Sequence, residues 1–138
     1  MSSISIQHGD IETIGIIAVD FSGALLPGKT DLKVKIRRRS DGGYFDWSDD
    51  TFKPGVLVAQ MLQALQQVSA TYSPGEYKLS TATHINGFNT SLITNPVNED
   101  TYFIIVIQDG GTDVANVPQF GEIRVEKFVI TDHTPIVF

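Results

Sequence analysis

The stretch TDLKVKIRRRSDGGYFDWSDDTF, Thr30 to Phe52, decides the fold. Its first part alternates strictly. Leu32, Val34 and Ile36 face one way, while Lys33, Lys35, Arg37 and Arg39 face the other. Period-two patterning with β-branched residues predicts a strand with one face in the core and one in water. Ser40–Gly43 supplies residues that tolerate positive φ, which predicts a hairpin turn. Tyr44–Trp47 is then the return strand, and Ser48–Asp50 a second turn. Parity places Phe45 and Trp47 on one face and Tyr44 on the other. A lone Trp in a small sandwich is expected to anchor the core. Arg38 falls out of step and is expected at the sheet rim or beside a buried acid.

Working outward, Thr13–Phe21 (TIGIIAVDF) reads as a buried strand, followed by turn formers Gly23, Pro27 and Gly28. Residues 56–68 carry Leu57, Met61, Ala64, Leu65 and Val68 on one helical stripe, which predicts a short helix. A strand from near Leu65 to Thr71 is the competing reading. Ser73–Tyr77 (SPGEY) reads as a turn and Tyr77–Thr83 as a strand, with a further short strand at Thr90–Thr94. Thr101–Asp109 (TYFIIVIQD) is the most apolar segment and is expected in mid-sheet with both faces buried. A polar loop of about a dozen residues leads to an alternating strand over Glu122–Ile130. The expectation is a mainly β chain: an immunoglobulin-like antiparallel β-sandwich of about seven strands with one short helix near 56–68. Residues 1–12 form an N-terminal arm, 13–130 the sandwich, and 131–138 a C-terminal arm.

The bulk numbers agree with one globular domain: 138 residues, 41% hydrophobic and 19% charged. No cysteine is present, which excludes disulfides and thiolate metal sites. No apolar run approaches the roughly 20 residues of a membrane helix, and the N-terminus has neither a basic nor an apolar signal region. The net charge of −6 opposes nucleic-acid binding and favours a protein partner.

The basic row Lys33, Lys35, Arg37, Arg39 is a candidate surface charge patch. A hairpin at Ser40–Gly43 is expected to fold Asp46 back towards Lys35 or Arg37, which undercuts phosphate binding. The aspartates at 41, 46, 49 and 50 lack the alternating ligand spacing and distal Glu of a calcium loop and read as turn residues. His8, His84 and His133 have no partner at metal-ligand spacing. No nucleophile elbow, phosphate loop or HExxH pattern is present, so no catalytic, cofactor or metal residue is assigned. The apolar ends carry more: Ile136, Val137 and Phe138, with Ile4 and Ile6, are candidate partner-docking residues. Each end either completes a sheet in its own domain or docks on a neighbour.

One order of motifs is familiar. LKVKIRRRSDGGYFDW is followed by FKPG, then by VSATYSPGEYKL (Val68–Leu79), YFIIVIQDGG and GEIRV. This series, spanning about Leu32 to Val125, resembles small immunoglobulin-like modules in virion proteins of tailed bacteriophages. The helix-like segment at 56–68 departs from the all-strand pattern of those modules. The resemblance implies a non-enzymatic virion part: a capsid decoration (cement) protein, or a neck, tail or baseplate component. Its partners would be the major capsid protein or another virion protein, and its own copies, with a trimer favoured. The chain carries no long fibrous repeat, which ranks decoration above a tail role. The rival from another class is a carbohydrate-binding module that stacks sugars on Trp47, Tyr44 or Tyr102.

Overall fold

The computed structural model describes residues 3–92 and 99–126. In chain order the strands are β1 (Ser3–Gln7), β2 (Ile11–Glu12), β3 (Gly15–Ile17), β4 (Leu32–Arg38), β5 (Tyr44–Asp46) and β6 (Thr51–Lys53). After a single helical turn, α1 (Val58–Met61), come β7 (Gln63–Ala64), β8 (Gln66–Ser69), β9 (Ser73–Lys78), β10 (Phe88–Asn89), β11 (Glu99–Gln108) and β12 (Gln119–Glu126). The large sheet runs β1-β12-β11-β4-β5-β6, with β7 also on β4. The second sheet runs β3-β9-β8, and β2 pairs with β10 in a small ribbon.

This order is that of an immunoglobulin sandwich of the variable type. The β12-β11-β4-β5-β6 series corresponds to strands G-F-C-C′-C″, and β3-β9-β8 to B-E-D. One pair departs from the antiparallel expectation, since β1 runs parallel to β12, with Ile4 opposite Ile123 and Ile6 opposite Val125. Ser3–Gln7, in the segment expected as an arm or a short strand, therefore supplies an edge strand of its own domain. Between the sheets lies one contiguous core. Leu32, Val34, Ile36, Phe45, Tyr102, Ile104, Val106, Ile123 and Val125 come from the large sheet, and Ile16, Tyr77, Leu65 and Leu79 from the second sheet and its flanks. The Tyr77 hydroxyl donates to the Leu26 carbonyl (2.6 Å) and accepts from the Lys29 amide (2.8 Å), so its buried polar end is satisfied.

Four local expectations are corrected. Of the helix over 56–68, only α1 forms, with no buried residue and no side-chain cap. One turn cannot hold itself against the exposed edge of β4. Gln63 and Ala64 pair there instead, the Leu65 amide bonds the Leu32 carbonyl, and β8 follows, as the competing strand reading has it. SPGEY is not a turn but most of β9; the turn lies at 70–72. Gly75, at φ +85°, lets β9 pass against Leu25, where a Cβ would come within 3.1 Å, and the β8–β9 register shifts nearby. Thr13–Phe21 is not buried on both faces: Ile14, Ile16 and Ala18 are buried, but Ile17 is 57% exposed. Of the strand expected at Thr90–Thr94, Thr90–Leu92 form a 3₁₀ turn directly after β10, and residues 93 and 94 lie outside the described residues.

Candidate interaction surface

The basic row lies on the outer face of the large sheet, as its alternation requires. Lys33 pairs with Asp109 (Nζ–Oδ2 2.7 Å). Lys35 lies over the Tyr44 ring, 5.5 Å from its centroid. Arg37 and Arg39 are exposed and have no carboxylate partner among the described residues. The hairpin acids do not fold back onto this row. Asp41 bonds Arg38 (2.6 Å), whose guanidinium also lies over Phe52 at the sheet rim. Asp46 is buried, accepts from the Ser48 amide and hydroxyl, and meets Lys53 (3.0 Å). Asp49 takes the same lysine (2.6 Å), and Asp50 meets His84. The neutralisation expected from the sequence therefore goes elsewhere, because β5 pairs with β4 only at Arg37–Tyr44, Asp46 at the end of β5 is held by Ser48 and Lys53, and Asp41, Asp49 and Asp50 sit in the turns on either side.

The electrostatic consequences are local. The Arg38 guanidinium, followed by the Gly43 amide, lowers the Asp41 carboxyl to about 2. Hydrogen bonds from Lys53 and Thr51 hold Asp49 below the usual carboxylate range, and the Ser48 hydroxyl does so for Asp46.

The apolar part of this face comes from β11 and β12. Tyr102, Ile104 and Val106 point into the core, while Phe103, Ile105 and Ile107 are half-buried on the outside. The expectation that both faces of this strand are covered thus holds for one. Cross-strand register extends the pattern, with Arg37, Phe103 and Glu122 in one row and Lys35, Ile105 and Phe120 in the next. Phe120 is 62% exposed. Arg37, Tyr44, Phe103, Ile105, Phe120 and Gly121 together line a shallow depression of about 300 Å³. Sequence reading missed this surface because it placed Phe120 in a loop and both faces of Thr101–Asp109 in the core. The alternation of Gln119–Glu126 was the available signal.

The other candidates are placed as follows. Ile6 packs against the core of its own domain, and Ile4 stands in β1 opposite Ile123. Ile136, Val137, Phe138 and His133 lie outside the described residues. Trp47 joins an aromatic cluster, edge-on to Phe45 (4.8 Å) and His84 (5.0 Å), and its Nε1–H donates to the Met61 carbonyl (3.0 Å). Tyr102 is fully buried. Of the three rings named for sugar stacking, only Tyr44 lies on an open face, and Lys35 covers it.

His84 is buried in the same cluster, stacked on Phe88 at 11°. The Asn89 amide donates to its Nδ1 (3.2 Å), so Nε2 carries the hydrogen and donates to Asp50 (2.9 Å). Both ring nitrogens are thereby engaged in holding loops. Lys29, Asp31, Gln108 and Asp113 form a second polar cluster, where the Lys29 ammonium reaches Asp113 (2.9 Å) and Asp31 (3.6 Å). Among the described residues no three His, Asp or Glu side chains gather to hold a metal ion, and no helix is long and apolar enough to cross a membrane.

No protein-family model matches this chain, and no curated protein matches it.

Proposed function

We propose that the chain is a non-enzymatic structural protein of a tailed-phage virion, a capsid decoration protein that reinforces the lattice of the major capsid protein. The neck, tail and baseplate are the other positions open to the same kind of module. The observation that carries the reading is the outer face of the large sheet, where Phe103, Ile105, Ile107 and Phe120 lie beside Lys35 and Arg37. A sheet face with an apolar centre and a charged flank is suited to protein contact. Decoration needs added contact area and register, not chemistry. The motif order over Leu32–Val125 and the variable-type strand order support the same reading. Many copies of a weakly held module then bind through avidity. The reading calls for no cofactor, nucleic acid or membrane.

The test is mass spectrometry and imaging of particles purified from cells that carry the sequence. The protein is expected at many copies per particle, and its absence would sink the proposal. A chain lacking residues 131–138 is expected to stay folded but to lose incorporation. Full occupancy by the truncated chain would remove the terminal segment from the docking scheme.

A further inference from the structure

We infer that the outer face of the large sheet is a two-fold self-association surface, and that its occupant is the same face of a second copy. The inference rests on the structural-subunit reading and adds the contact by which subunits pair. It follows from the cross-strand register. Three columns stand side by side: β4 contributes Lys33, Lys35 and Arg37; β11 contributes Ile107, Ile105 and Phe103; β12 contributes Phe120 and Glu122. The face is therefore basic on one flank and apolar along its spine, and on the other flank it carries an aromatic ring and a carboxylate, with Arg124 at the strand end. Among the described residues neither Arg37 nor Glu122 has an ion-pair partner of its own.

A two-fold axis along β11 carries each β4 column onto the β12 column of the other copy. Arg37, Phe103 and Glu122 share one row, so this operation sets Arg37 against Glu122 of the second copy, twice per dimer. Lys35, which lies over Tyr44 within one copy, then stands opposite the exposed Phe120 ring of the second copy by the same row argument. Phe103, Ile105 and Ile107 pack on their own equivalents along the axis, as facing sheets do at about 10 Å separation. The alternative axis, across the strands, sets β4 against β4 and brings lysines and arginines onto one another. Charge therefore selects the first arrangement. One row opposes it: Arg39 would stand opposite Arg124 of the second copy, since Arg39 lies beside Thr101 and Thr101 pairs with Arg124. Both arginines are exposed at the end of the strands, where sheet twist parts the two faces and a like-charge pair in water costs little. This pairing is two-fold, unlike the trimer that the motif resemblance favours.

The experiment is sedimentation equilibrium of the full chain at near-physiological salt, with circular dichroism melts to show that each variant is folded. The chain is expected to show a reversible monomer–dimer equilibrium. Arg37→Glu and Glu122→Arg are each expected to weaken it by about tenfold or more, because each creates two like-charge contacts per dimer. The combined Arg37→Glu/Glu122→Arg variant restores the pairs with reversed sign and is expected to recover the wild-type constant to within about threefold. A wild-type monomer or trimer, indifference to Arg37→Glu, or no recovery in the combined variant would overturn the inference. A monomer that still enters particles would remove the pair contact and leave the virion reading standing. A charge-sensitive dimer absent from particles would do the reverse.

Discussion

Trp47→Ala distinguishes a core anchor from a surface platform. The Trp47 ring is partly buried and packs edge-on against Phe45, His84 and Phe88. Its indole N–H and its backbone amide both bond the α1 segment, at the Met61 and Gln60 carbonyls. About 100 Å² of ring withdrawn from water is worth roughly 2.5 kcal/mol at about 25 cal/mol per Å². The lost edge contacts and the Met61 hydrogen bond add on the order of 1 kcal/mol. The expected cost is about 3.5 kcal/mol, near the low end of the range for removing a buried Trp. For a chain of 138 residues this lowers the melting temperature by about 12 °C. Trp47→Phe keeps a ring but removes the N–H, so it should cost about a third as much. Far-UV circular dichroism in heat and in urea is the assay, because Trp47 is the sole tryptophan and its fluorescence cannot follow the series. Stability of Trp47→Ala within about 0.5 kcal/mol of wild type would refute the core assignment. Polysaccharide binding that the substitution abolishes in a still-folded protein would point back to the sugar-stacking rival.

Two further outcomes follow from geometry. Gly87→Ala drives a Cβ into the Glu12 carbonyl oxygen at φ +150°, so it should separate the β2–β10 ribbon; a thermal melt within about 1 °C of wild type would contradict it. Asp41 has its folded pKa lowered to about 2, so its contribution is fully present above about pH 4 and fades as pH falls towards 2. Because its carboxylate is 43% exposed, solvent screening holds that contribution to under about 1 kcal/mol. Asp41→Asn should flatten this part of the acid-unfolding curve, and an unchanged slope between pH 4 and 2 would count against the pairing with Arg38.

The legible parts of the fold are those where local pattern and tertiary demand coincide. Leu32–Arg38 alternates, its turn contains residues suited to positive φ, and β4 and its hairpin form where alternation places them. Residues 56–68 were ambiguous because Leu, Met, Ala and Gln suit a helix, whereas the free edge of β4 accepts a strand. SPGEY misleads because Pro and Gly mark bulges as well as turns. The partner of each hairpin acid was not legible either. Parity points Asp46 at the basic row, but a two-residue turn bond to Ser48 and the reach of Lys53 claim it.

Sequence alone determined which residues of β4 face water, and that the chain is a β-sandwich, because period two and turn chemistry are local properties. Only the tertiary structure decided what the water-facing row stands beside. Phe103 and Glu122 are far along the chain from Arg37, and no local pattern records that three strands align them in one row. That alignment is set by hydrogen-bond register across β4, β11 and β12. It turns a basic stripe into one flank of a surface with an apolar centre and with Phe120 and Glu122 on the opposite side.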